Sequence, residues 1–177
     1  FFGNDTYADV YKNNHPKYII QKDAKSYCNL VGIRYCMRYS EISKMTMYFS
    51  NCEAITANST WYHAVNGKCT NVTLDSPIVL LNPISGKYNN KAAGFIAETK
   101  NGTEINIGYT GEQYGTGTGM KELGGRIVGM KWDEFGDIDF MQLRIVTEQQ
   151  FSDAMIAHEQ EQRRGKEARA ARERLRL

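Results

Sequence analysis

Residues 124 to 146, GGRIVGMKWDEFGDIDFMQLRIV, place two apolar runs, Arg126 to Met130 and Ile138 to Val146, on either side of a polar connection. Runs rich in Ile, Val and Met that follow a glycine pair read as neighbouring β-strands, and the short span between them reads as a hairpin connection. That connection holds Asp133, Glu134, Asp137 and Asp139 with Trp132 and Phe135. Carboxylates accept hydrogen bonds from vicinal hydroxyls, and an aromatic face covers the apolar side of a sugar ring. Trp132, Asp133, Asp137 and Asp139 are therefore a candidate carbohydrate site. The competing structural reading is a solvated turn with Trp132 and Phe135 packed into the core. The four carboxylates are also hard oxygen donors for calcium, but their spacing does not fit a helix-loop-helix cation loop, so neither metal nor cofactor is expected.

Upstream, Phe95 to Thr99 and Thr103 to Tyr109 alternate on either side of Asn101-Gly102, a strong two-residue hairpin signal. Residues 110 to 119 contain four glycines, which serve either flexibility or close backbone approach, and no Gly-Lys-Ser/Thr follows to make a phosphate cradle. Short strands are also expected at Lys17 to Gln21, Cys28 to Met37, Ile42 to Phe49, Trp61 to Val65 and Ile78 to Leu81, with a turn at Asn66-Gly67. Residues 1–146 thus read as a mainly β domain, with a cysteine-bearing part at 1–74 and a glycine-rich hairpin part at 75–146.

Several motifs of this region carry a resemblance. Ile96-Ala97-Glu98-Thr99 is followed by Asn101-Gly102, a glycine-rich span ends at Glu122-Leu123, and Gly125-Arg126-Ile127-Val128-Gly129-Met130 comes next. Gly136-Asp137-Ile138-Asp139 then leads into Leu143-Arg144-Ile145. Together, Ala93 to Val146 resembles part of a jacalin-related lectin. The resemblance implies lectin-like twisted sheets, a β-prism of three four-stranded sheets or a related sandwich, and a Gly and Asp pair that frames sugar binding. Three features depart from the family: two residues rather than three separate Gly136 from Asp139, the first 90 residues lack the N-terminal glycine motif, and a long C-terminal helix is added.

The cysteines and sequons define a compartment. Cys28, Cys36, Cys52 and Cys69 cluster in the first 70 residues without the tight paired spacing of zinc modules, so two disulfides are expected, with all three pairings open. Asn4, Asn58, Asn71 and Asn101 each begin an Asn-x-Thr sequon, where chance supplies about one or two in a chain of this composition. Disulfides and N-glycosylation belong together in a secreted or cell-surface protein.

Thr147 and Gln150 form a capping-box signature that opens a helix over 147–177, with Phe151, Met155 and Ile156 as an apolar stripe and Gly165 as an interruption. From His158 to Leu177 the chain carries seven basic and four acidic residues, which leaves the body near neutral. A near-neutral body argues against nucleic acid as a partner. No run of about 18 apolar residues is present, so no transmembrane helix is expected. The three histidines, His15, His63 and His158, stand in no catalytic motif, and no enzyme is expected.

The favoured reading is a secreted, N-glycosylated, non-enzymatic structural subunit of an extracellular fibre, coat or appendage, which self-associates or meets other subunits through residues 148–177. A lectin-like protein with glycans as partners is the first alternative, and a secreted pore-forming or toxin subunit is the second.

Overall fold

The two halves of the quoted hairpin pair as expected, and the chain's N-terminal strands flank them. The computed structural model describes residues 7–12, 15–59, 68–86, 92–134, 138 and 140–176. In its first sheet β1 (Tyr7–Tyr11) and β2 (Ile19–Asp23) lie outside β12 (Arg126–Asp133) and β13 (Met141–Val146), in the order β1-β13-β12-β2. The second sheet takes β3 (Asn29–Arg38), β4 (Glu41–Ser50), β5 (Cys52–Asn58) and β6 (Lys68–Thr73) in the order β5-β4-β3-β6. In the third, β7 (Ile78–Gly86), β8 (Ala92–Thr99), β9 (Glu104–Gly108) and β10 (Gly115–Gly117) run β10-β7-β8-β9, and β11 (Lys121–Glu122) also pairs with β7. All pairings are antiparallel. The strand expected at Trp61 to Val65 and the turn at Asn66-Gly67 lie outside the described residues.

Alternation gives each strand one apolar face, and the three sheets turn those faces onto a common interior. Met130 and Leu143 from the first sheet, Ile33 and Met45 from the second, and Phe95 and Ile107 from the third belong to one buried cluster. The parts at 1–74 and 75–146 therefore share a core. Met37, Met45, Met47, Met130 and Met141 are all buried, and unbranched thioether side chains suit the irregular gaps where three sheet faces meet. Gly129 answers a different demand. A Cβ there would collide with Asp23 Oδ1 and the Lys22 carbonyl, so only glycine lets β2 close on β12 beside the register shift between Ile127 and Gly129.

The cysteines pair as Cys28–Cys52 and Cys36–Cys69. Cys36 and Cys69 face each other directly across β3 and β6, while Cys28, just before β3, holds the first residue of β5. Both edge strands of the second sheet are thus stapled. The same two edges carry the exposed Asn58 and Asn71.

Helix α1 (Glu148–Leu175) begins at the expected box: Thr147 Oγ1 accepts from Gln150 N at 3.0 Å, and Gln150 Oε1 accepts from Thr147 N at 2.8 Å. Phe151 packs with Val128 and Val146, and Met155, one turn on, joins them. Arg126 lies 3.9 Å above the Phe151 ring and donates through Nε to Glu148 at 2.9 Å, while Tyr27 stacks on His158 at 3.9 Å between centroids. Two expectations need correction. Ile156 is half exposed because it sits about 100° around the helix from Met155. Gly165 does not interrupt α1, because a single glycine costs only about 1 kcal/mol of helix propensity and the flanking residues are strong helix formers.

Candidate functional site

The pairing register sets which connections meet. Tyr11 stands opposite Met141, and Ile19 opposite Asp133, so the β1–β2 connection lies against the β12–β13 connection. The start of β8 reaches the same end of the molecule, since Ala92 N donates to the Ile138 carbonyl at 3.0 Å. Segments distant in sequence, 17–18, 133–134, 138 and the start of β8, converge there.

Asp133 ties the first to the last. Its carboxylate is buried, Oδ2 accepting from Lys17 N and Oδ1 from Tyr18 N, each at 3.0 Å. Glu134 N donates in turn to the Tyr18 carbonyl at 2.8 Å. A carboxylate accepting two backbone N–H groups makes charge-assisted bonds about twice as strong as neutral ones, so Asp133 holds the β1–β2 connection in place. Trp132 is also buried and adds to the floor of this end, and among the described residues no acceptor meets its Nε1. Beneath, Tyr11 packs on Phe95 at 5.2 Å and donates its hydroxyl to the Gly94 carbonyl at 2.6 Å. Burial pushes the Tyr11 pKa well above the ordinary phenolic value, which keeps the hydroxyl protonated as a donor. Gly94 is required because a Cβ would press on the carbonyl oxygens of Ile107 and Tyr109.

Of the four residues read as a carbohydrate site, Trp132 and Asp133 are therefore framework, and Asp137 and Asp139 lie outside the described residues. Two residues that the sequence reading missed stand beside them. Tyr18, 61% exposed, presents an aromatic ring next to the Asp133 tie, and Ile19, 47% exposed, follows it. Both fall in the strand expected at Lys17 to Gln21, with no sign in the sequence that their side chains would be exposed. On the neighbouring edge Tyr109 stacks on Tyr114 at 4.5 Å. A cleft of about 630 Å³ lies elsewhere, between α1 and the start of β12, where Tyr27, Asn29, Asn51, Arg126, Phe151 and His158 contribute. Arg126 and Val146 sit at the far ends of their strands from Asp133 and Met141, so this cleft opens at the opposite end from the converging connections.

At the level of sequence, no family model and no curated protein matches the chain. Solved structures do. An agglutinin from Calystegia sepium, 15% identical, superposes with a TM-score of 0.61 over 82% of this chain and 99% of that one. The mannose-binding lectin from Champedak, also 15% identical, gives 0.54 over 80% and 98%. The fold is the β-prism of the jacalin-related lectins. A lamprey immune protein, 11% identical, shares it with a TM-score of 0.60 over 80% of this chain but only 44% of that one. The β-prism here includes the N-terminal strands and the cysteine-bearing sheet, well beyond the Ala93 to Val146 stretch whose motifs resemble the family.

Proposed function

We propose that this chain is a secreted, non-enzymatic carbohydrate-binding protein that takes a hexopyranose at the end of the prism where the β1–β2 connection is tied to Asp133. The observation that carries this reading is the Asp133 carboxylate, which locks the β1–β2 connection to the β12–β13 connection and leaves Tyr18 exposed beside them. Asp133 and Trp132 position the site, Asp137 and Asp139 supply acceptors for vicinal hydroxyls, and the Tyr18 ring covers the apolar face of the sugar. Similar solved structures include Calsepa lectin with a biantennary N-glycan and artocarpin with mannotriose, which supports the same ligand class for this chain.

The subunit-assembly role finds less support. Beyond Glu159 the helix is exposed and its apolar residues are alanines and Leu175, which gives a second subunit no stripe to pack on. Two disulfides fit an oxidising compartment. Asn58, Asn71 and Asn101 are exposed, as glycan attachment requires, while Asn4 lies outside the described residues.

A glycan array followed by calorimetry with the full chain tests the function. Binding to hexose-bearing glycans is expected, with loss in Asp139→Ala and weakening in Tyr18→Ala. Unchanged affinity in both variants would remove these residues from the site, and an array with no hexose ligand would contradict the function itself.

A further inference from the structure

The outer half of α1 has no part in that reading. The 14 residues from Arg163 to Arg176 hold seven of the chain's 22 cations but only two of its 20 carboxylates, a net of +5, while the rest of the chain is net negative. Every one of these side chains is exposed. The helix is held to the prism through Phe151, Met155 and His158, and this segment, which lies beyond those contacts, is about 20 Å long at 1.5 Å per residue. Arg169 and Arg174 each turn one N–H to a carbonyl of their own helix, at 3.4 Å, and the exposed guanidinium groups keep further donors for a ligand.

The arrangement of the charges selects the partner. At about 100° per residue, Arg163 and Arg174 share one side, Arg164 lies a quarter-turn away, Arg172 lies opposite and Lys166 fills the remaining quadrant. Cations therefore ring the helix. A planar anionic membrane engages one side, and helices that lie on it present apolar residues along that side; this segment has only alanines and Leu175. A flexible polyanion can follow all sides. Six of the seven cations are arginine, whose planar fork grips the paired oxygens of a tetrahedral oxyanion better than an ammonium does. The disulfides point to an extracellular setting, where such polyanions are sulfated polysaccharides.

We propose that residues 163–176 are a docking arm for a sulfated polysaccharide. The arm leaves from the end of the prism opposite the converging connections, so it acts independently of the sugar site proposed there. Engaging both at once would raise retention on a glycan-bearing matrix through effective concentration.

The test uses the full chain and fluorescent heparin at about 0.15 M salt, with fully desulfated heparin, duplex DNA and anionic lipid vesicles as comparison probes. Heparin is expected to bind, with no binding of the desulfated chain and weaker binding of DNA and vesicles. The variant Arg169→Gln/Arg172→Gln/Arg174→Gln/Arg176→Gln should bind heparin at least about tenfold more weakly with a shallower salt dependence. Glutamine preserves helix propensity, and unchanged far-UV circular dichroism confirms that the arm is intact. If the helix is lost in that variant, replacing the same four positions with Lys keeps the charge, and an intermediate affinity is expected. Equal binding of the glutamine variant, equal binding of desulfated heparin, or tighter binding of DNA or vesicles overturns the proposal. A negative array of neutral glycans bears only on the sugar site at the other end.

Discussion

Replacing Asp133 with Ala removes the acceptor for two backbone N–H groups at once. The side chain is 2% exposed, and each bond is 3.0 Å long. Hydrogen bonds to a charged group contribute about 1.5–3 kcal/mol each. The Lys17 and Tyr18 donors lie near the surface, where water replaces part of the loss, so the net cost is set at about 3 kcal/mol. For a domain of this size that lowers the melting temperature by roughly 6–12 °C. Asp133→Asn keeps one carbonyl acceptor and should lose about half as much. Urea and thermal unfolding measure the stability, and amide hydrogen exchange at Lys17 and Tyr18 locates it; both amides should exchange faster in the Ala variant. In the proposed function Asp133 positions the site, so that variant should also bind glycan more weakly, and Asp139→Ala should lose binding. A loss under about 1 kcal/mol for Asp133→Ala, or an Asn variant as damaged as Ala, would refute the reasoning.

Other consequences follow from the same contacts. Phe151→Ala should release α1 while the prism stays folded, at a cost of about 3 kcal/mol for the lost packing; circular dichroism would show lost helix, and limited proteolysis would cut first beyond residue 147. The double change Cys36→Ser/Cys69→Ser opens a closure spanning 33 residues and should destabilise by about 3 to 4 kcal/mol in urea. At Asp75, bonds from the hydroxyls of Thr103, Ser76 and Thr99 hold the carboxyl below its ordinary value. Its folded pKa is thus depressed, so its contribution is complete above the unfolded value of about 3.9 and is lost as pH falls through the folded one. Hydrogen exchange at Thr103 should therefore accelerate in that acid window, and not in Asp75→Asn.

The hairpin at 124–146 was legible because both signals in it are local: apolar runs at strand length, and glycines at Gly125 and Gly129 where backbone crowds backbone. The capping box at Thr147 was legible for the same reason. The partners of that hairpin were not. β1 reaches β13 across more than 130 residues, and nothing local in Tyr7–Tyr11 names its neighbour. The candidate site suffered from the same blindness. Asp133 reads as a surface carboxylate when its only visible neighbours are Trp132 and Glu134; its donors, Lys17 and Tyr18, become its neighbours only when β2 closes on β12. The cysteine pairing likewise needed the register of β3 with β6, which spacing does not encode.

The central claim is that a sugar binds at the end of the prism where Asp133 ties the β1–β2 connection. Amide chemical shifts of the full chain, followed while a mannose oligosaccharide is added, test it most directly. The account predicts saturable shifts at Tyr18, Glu134, Ile138 and Ala92, with Asn29, Asn51 and His158 unmoved. Shifts confined to the cleft beneath α1, or none at a concentration where the array reports binding, would contradict it.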